Sequence, residues 1–338
     1  MKIFVGEFVC GGGLVGATDE AGLDDLRSEG EAMLRALVAD VSLFAETVVV
    51  LDEQLEVDCN ATTKIQFDTS MPLWAQWAEA AKGCDAALVI APEVDGLLAK
   101  GVGVLRSAGV DVIAGSGDFL RVASDKLLTA QLLHRAGVAH PPYIATEDER
   151  MIGVLADSSR FVIKPRDGCG TQAIETFDDF RDARKALKSN SIMQGWMSGK
   201  SISISYLASG NYQTFLPAVS QVISDGDCHY TGGCGPLDDE SQRRATAVAS
   251  RAIAAMPPTA RGFVGLDLIL GDEPSQDCVI EINPRLTTSY VGLREMIHGN
   301  IAARLFDLET GPVRCKATVD SVRWTRDGQV EFDAPLLT

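Results

Sequence analysis

Asp267, Glu281, Asn283 and Arg285 carry the strongest chemical signal in this chain. They lie in two alternating apolar runs, 263–270 and 278–283, joined by a turn-rich link from Gly271 to Asp277. This pattern predicts a β-hairpin. Val264, Leu266, Leu268 and Leu270 share one face of the first strand, so Asp267 points the other way. On the second strand Glu281 and Asn283 share a face, with Ile280 and Ile282 opposite. Three oxygen-bearing side chains can thus converge on one side. Hard oxygen donors suit Mg²⁺, with phosphates completing the shell, and Arg285 adds a fixed positive charge. Taken alone, the segment also reads as a solvated strand face.

Upstream, Arg121 to Lys126 opens a helical run that stops at Gly137. The short apolar strand from Phe161 ends in Lys164 and Pro165 and is followed by a glycine loop containing Gly168, Gly170 and Thr171. Lysines are compact point charges suited to phosphate, and glycines let backbone N–H groups aim at phosphate oxygens. Gln194, Trp196 and Met197 then precede a strand beginning at Ser201. A lysine before a helix, a strand lysine with a glycine loop, a linker, and an Asp…Glu-x-Asn pair of strands together resemble the ATP-grasp ligase superfamily over residues 115–300.

The resemblance implies a fold and a set of roles. The fold is mixed α/β and α+β, a parallel βαβ (pre-ATP-grasp) domain followed by two α+β subdomains that sandwich ATP. Lys126, Lys164, Gly168, Gly170 and Thr171 would hold the phosphates. Gln194, Trp196 and Met197 would form the hinge around adenine. The family commonly has a ribose-binding glutamate where Ser201 stands, so that contact would weaken or pass elsewhere. Asp267, Glu281 and Asn283 would bind Mg²⁺, with Mn²⁺ as a substitute, and Arg285 and Lys164 would be catalytic.

The run Glu7 to Gly13, taken with Glu281 to Arg294, further resembles the subgroup that contains the tyramine–glutamate ligase of methanofuran biosynthesis and its bacterial relatives. On that likeness the loop carrying Gly11, Gly12 and Gly13 lines the acceptor pocket; otherwise it is a tight turn. Thr287, Thr288, Ser289 and Arg294 would line the acceptor-acid side. A second glycine cluster, with Gly232 and Gly233, reads either as a substrate-side loop or as a plain hairpin loop. The implied reaction is ATP-dependent carboxylate–amine ligation through an acyl phosphate, joining L-glutamate to tyramine or a related aromatic amine. Another acid–amine pair, or a catalytically silent nucleotide-binding protein, are the alternatives.

Composition limits the rest. The chain has 338 residues and is 46% hydrophobic, ample for a core and two or three subdomains. Its formal charge of −17 argues against a nucleic-acid or anionic-membrane surface, leaving small-molecule partners and a possible homodimer. Eight cysteines without a C-x-x-C pair, and four histidines, disfavour zinc and fit a reduced cytoplasm. The N-terminus reads as a strand rather than a signal peptide, and no apolar run is long enough to span a bilayer.

Short apolar runs at 2–5, 47–51, 86–90 and 110–114 alternate with helical patterns at 21–39 and 71–82, predicting a parallel sheet within a domain over 1–120. A small subdomain over 121–189 and a C-terminal one over 190–338 follow, and the last fifteen residues carry no clear pattern. Gly11–Gly16 satisfies G-x-G-x-x-G, but it stands too far from the first strand, and Asp52 lies too far beyond it, for a dinucleotide site. Gly195 to Ser201 is one residue short of a Walker A loop and precedes a strand where that loop precedes a helix.

Overall fold

The computed structural model describes residues 1–16, 23–168, 173–224, 228–317 and 320–333. Its first sheet is parallel: β1 (Lys2–Glu7), β2 (Glu46–Leu51), β3 (Thr63–Gln66) and β4 (Ala86–Ile90), in the order β3-β2-β1-β4. Alternation along β1 sends Ile3 and Val5 to one face, under α1 (Leu23–Val41), and Phe4 to the other. There Trp74 and Trp77 of α2 (Leu73–Ala81) and Leu98, Val102 and Leu105 of α3 (Leu97–Ser107) cover it. Each such fully buried side chain contributes about 1.5–3 kcal/mol by leaving water.

The run at 110–114 is not a strand. A single bridge joins Val112 to Ala87. The Ala114 N–H turns back onto the Val112 carbonyl at 2.9 Å, so the run bends out of line after that bridge, and the Arg106 guanidinium donates to the carbonyls of Val112, Ala114 and Gly115 around the bend. Strand β3, by contrast, has only one apolar residue, Ile65, and sits at the sheet edge, so it shows no buried-strand pattern.

The next part of the chain holds α4 (Gly117–Ala123), α5 (Lys126–Arg135), β5 (Tyr143–Ile144), α6 (Ile152–Ala156), β6 (Phe161–Pro165), β7 (Glu175–Phe177), α7 (Phe180–Ala186) and β8 (Ser191–Gly195). Its sheet is antiparallel with order β5-β8-β6-β7. Asp125 caps α5 by accepting from the N–H groups of Leu127 and Leu128, and Gly137, at φ +67°, lies just beyond its end.

A large antiparallel sheet completes the fold. It contains β9 (Lys200–Ala208), β10 (Gln213–Phe215), β11 (Val219–Ile223), β12 (Tyr230–Gly235), β13 (Gly262–Leu270), β14 (Cys278–Asn283), β15 (Ser321–Thr325) and β16 (Val330–Asp333). The order is β14-β13-β9-β11-β12-β15-β16, with β10 on β9. Helices α8 (Asp239–Ala255), α9 (Ser289–Met296) and α10 (Ile301–Leu305) pack around it. The region from residue 324 on, unpatterned in the sequence, thus supplies the end of β15 and the whole edge strand β16.

One hydrophobic cluster joins Ile3, Val5 and Leu37 to Leu207, Tyr290, Leu293 and Trp324, so the parallel sheet and the C-terminal region share a core. A buried polar lock reinforces it. Asp40 of α1 accepts from Tyr290 Oη at 2.6 Å and from Arg294 Nη2 at 2.7 Å. Among the described residues, no helix is long and apolar enough to cross a membrane.

Candidate functional site

A cavity of about 640 Å³ lies between the small antiparallel sheet and the large one. Strands β13 and β14 form its acidic wall. As the alternation predicts, Val264, Leu266, Leu268 and Leu270 are all buried in the core behind them. The register sets Asp267 directly opposite Glu281, and Gly265 opposite Asn283. Beyond that pair the register shifts, because Leu268 faces Val279 and Ile280 is an extra residue. A bulge of this kind re-aims a side chain. Ile280 therefore lines the cavity beside Glu281 instead of joining Ile282 on the opposite face.

Asp267 accepts from the Asn283 amide at 3.0 Å and from the Gln221 amide at 2.8 Å. Glu281 faces Lys126 at 3.5 Å and Lys164 at 3.7 Å. Burial and the neighbouring Glu281 charge drive the Asp267 carboxyl above its ordinary range. Burial acts the same way on Glu281, but Lys126 and Lys164 outweigh it and hold that carboxyl low. Burial also lowers Lys164, which is 6% exposed.

Among the described residues, no three His, Cys, Asp or Glu side chains gather to cage a metal. Two facing carboxylates and one amide oxygen instead fit an oxygen-seeking divalent cation that keeps phosphate and water in its remaining positions. The crowding of Asp267 against Glu281 is charge that such a cation would relieve.

The opposing wall is positioned by caps and pairing. The Lys126 N–H donates to the Arg166 carbonyl at 2.8 Å, and Arg166 Nη2 bonds the capping residue Asp125 at 2.5 Å. This ties the start of α5 to the end of β6. Lys126 Nζ donates to the Gly168 carbonyl at 2.5 Å. Gly170 and Thr171 lie outside the described residues. Gln194, Trp196 and Met197 line the cavity where β8 leaves the sheet. The N–H groups of Gly195 and Trp196 are taken by the carbonyls of Pro142 and Arg160, both at 2.9 Å. Arg160 stacks over the Trp196 ring at 4.6 Å. Ser201 and Ser203 line the cavity from β9.

Arg285, Thr287, Thr288 and Ser289 also line the cavity, Thr287 next to Gly265 of the acidic wall. Arg285 Nε is 3.0 Å from Glu93, and its Nη1 donates to the Leu286 carbonyl. Thr287 and Ser289 share a hydroxyl bond of 2.8 Å.

Three expectations do not hold geometrically. Gly11, Gly12 and Gly13 are not among the cavity-lining residues. They close a short helical turn after β1, where a Cβ on Gly11 would lie 2.5 Å from Trp77 and one on Gly12 2.5 Å from Phe67. Their smallness serves packing. Gly232 and Gly233 are in strand β12, not a loop, and pair with β15, where Trp324 leaves no room for a Cβ. Arg294 turns away from the cavity to Asp40 and Glu295.

Glu29, Gln221, Tyr230 and Trp324 also line the cavity, although no motif in the sequence marks them as site residues. The alternation of Val219, Gln221 and Ile223, all lining residues, could have exposed Gln221. Glu29 sits in an acidic amphipathic helix and gives no signal, because tertiary packing alone brings α1 to the cavity.

Residues 123–289 match the ATP-grasp domain family, and residues 45–118 match the pre-ATP-grasp 3 domain. The chain belongs to the ATP-grasp superfamily. The ATP-grasp chain is 28% identical over 212 residues to the tyramine–L-glutamate ligase of Methanocaldococcus fervens, covering 62% of each. It is 24% identical over 210 residues to that of Methanocaldococcus jannaschii, covering 62% of this chain and 58% of the relative. The match thus spans less than two thirds of either relative's length. Among solved structures, an ATP-grasp superfamily protein from Archaeoglobus fulgidus superposes with a TM-score of 0.70 at 25% identity, over 96% of this chain and 92% of that one. The N5-carboxyaminoimidazole synthetase from Staphylococcus aureus complexed with ADP gives 0.68 at 14% identity, over 93% and 79%, a likeness of fold.

Proposed function

We propose that this chain is a Mg·ATP-dependent carboxylate–amine ligase that joins L-glutamate to tyramine or a related aromatic amine, as in the making of a methanofuran-type cofactor. The observation that carries the reading is the gathering of Lys126, Lys164, Asp267, Glu281, Asn283 and Arg285 around one cavity. The names of the two curated relatives favour the substrate pair.

The chemistry has to bring two anions, a carboxylate and a triphosphate, into contact. Lys126 and Lys164 answer part of that repulsion by binding phosphate oxygens. Asp267, Glu281 and Asn283 would hold the divalent cation, which supplies charge neutralisation between phosphate and carboxylate when bound. Val162, Ile269 and Ile280 line the cavity as apolar walls for the base. With the preceding N–H groups occupied, the Met197 N–H is the hinge donor for its edge. Ser201 and Ser203 offer short hydroxyls to the ribose in place of a glutamate.

The donor carboxylate takes the γ-phosphoryl group and releases ADP. Arg285, oriented by Glu93, steadies negative charge on the acyl phosphate oxygens and on the tetrahedral intermediate. Thr287, Thr288 and Ser289 position the acid. The amine then attacks, and phosphate leaves.

The deciding experiment measures ADP release from ATP and Mg²⁺ with L-glutamate, with tyramine, and with both, and identifies the product by mass spectrometry. Release dependent on both, with one amide product, is expected. Turnover only with a different acid–amine pair overturns the substrate pair. No acid- and amine-dependent release with any pair overturns the ligase.

A further inference from the structure

Glu29 is a carboxylate that the ligase chemistry above leaves without a task. It projects from the second turn of α1 and lines the cavity, within electrostatic reach of Arg285 and Tyr230. Its surroundings explain why it is available. Asp25, one turn earlier, is occupied by Arg326 at 2.5 Å and faces His229 at 3.7 Å. Among the described residues, no hydrogen bond or ion pair reaches the Glu29 carboxylate itself.

Tyr230 and Trp324 line the same cavity. Trp324 Nε1 donates to Tyr230 Oη at 3.1 Å, which fixes the phenol and leaves its own proton free to donate. Ile223 adds an apolar edge. A negative group beside aromatic faces recognises a cation carried on an apolar body. A second carboxylate would be repelled there.

We propose that Glu29 binds the ammonium group of the amine co-substrate, against Tyr230 and Trp324, and accepts the proton that must leave before the nitrogen can attack. This rests on the ligase reading above. It moves the amine subsite from the glycine turn at 11–13 to a surface built by α1, β12 and β15.

The proton balance is complete. The ammonium gives one proton to Glu29 and becomes a free amine. Its lone pair forms the C–N bond at the acyl phosphate carbonyl carbon. The C–O bond to phosphate breaks, and the departing phosphate takes the second nitrogen proton. Glu29 returns its proton to water when the amide leaves.

Electrostatics agree with this task. Burial pushes the Glu29 carboxyl up to about 7, against the lowering influence of Arg285 and Arg326 and with a smaller raising effect from Asp25. The Tyr230 phenol, itself driven up chiefly by burial, also senses the Glu29 charge. A base of that strength is half ionised near neutral pH, where general-base catalysis is most efficient.

The test compares the full chain with Glu29→Gln in the presence of ATP, Mg²⁺ and L-glutamate. The nucleophile is either tyramine or hydroxylamine, which is small, largely uncharged at pH 7 and needs neither a base nor an aromatic wall. The ratio of tyramine to hydroxylamine kcat/KM should fall by at least about 10²-fold in the variant. The rise of wild-type tyramine kcat/KM with pH through about 7 should vanish with it, and Glu29→Asp should restore part of the ratio. Hydroxamate formation also reports that the variant is folded.

An unchanged ratio or an unchanged pH profile in Glu29→Gln overturns the inference and leaves the ligase standing. So does a rise confined to the glutamate KM, which would place the donor's own ammonium at Glu29. Wild-type protein that makes neither product overturns both readings together.

Discussion

Lys164 and Glu281 show how opposite charges share one low-polarity cavity. Lys164 is buried, and its charge is tolerated because Glu281 lies 3.7 Å away. A phosphate arriving in the cavity would meet a lysine already desolvated, so little of the interaction is lost to removing water. Lys164→Met keeps the length and removes the charge. A charge-assisted hydrogen bond is worth about 1.5–3 kcal/mol, so affinity for a non-hydrolysable ATP analogue should fall about 10- to 100-fold by calorimetry. Unchanged affinity would mean that the ammonium serves only to balance Glu281. The acidic side makes a different prediction. Glu281→Gln keeps the shape but removes the negative charge from a pair of carboxylates offered to a divalent cation. ADP formation should drop by at least about 100-fold, more than the 10- to 100-fold typical of losing an outer-shell partner. Raising Mg²⁺ should recover part of it. Near-normal turnover in Glu281→Gln would remove the metal assignment.

At the scale of elements, legibility tracks how local the determinants are. The hairpin of β13 and β14 was readable because alternation over nine residues has one consistent register, with Asp267 on the side away from the buried leucines. Its bulge was not readable, since Ile280 is apolar and fits either face. The run 110–114 looked like a strand because all its residues but Asp111 are apolar; it makes one bridge, to Ala87, because the Ala114 N–H turns back onto the Val112 carbonyl and bends the chain away. The glycines of β12 were visible as a cluster, but their reason was not. Glycine marks either a flexible loop or a close approach, and only the partner strand decides. A Cβ on Gly232 would lie 2.0 Å from the Trp324 carbonyl oxygen, and one on Gly233 would lie 2.3 Å from the Trp324 ring. Gly232→Ala should therefore destabilise the fold by about 1–3 kcal/mol, the usual cost of overpacking, seen as a lower Tm. A substrate-contacting loop would give another result, a raised KM at unchanged Tm.

At the scale of the molecule, the cavity depends on parts of the chain that are distant in sequence being held together. Glu29 and Glu93 come from the N-terminal third, and Arg285 from the C-terminal half, yet Glu93 and Arg285 are 3.0 Å apart. The shared core and the Asp40 lock hold that juncture. Arg294 was expected to face the acceptor acid, because it closes a motif that begins with Glu281. In the fold it sits on α9, a helix whose opposite end, at Ser289, reaches the cavity, so motif membership and contact with substrate part company. Arg294 bonds Asp40 through both Nε, at 3.0 Å, and Nη2, at 2.7 Å, while Tyr290 donates to the other carboxylate oxygen. Asp40 is 5% exposed, so removing its cation would strand a buried charge. Arg294→Met should cost about 3 kcal/mol, at the low end for breaking a buried pair because Arg294 keeps some contact with water. The measurement is thermal unfolding together with steady-state kinetics below the transition. A fall in Tm of several degrees with the glutamate KM unchanged marks Arg294 as the clasp between the parallel sheet and the C-terminal region. A raised glutamate KM at unchanged Tm would return it to the acid-binding side of the site.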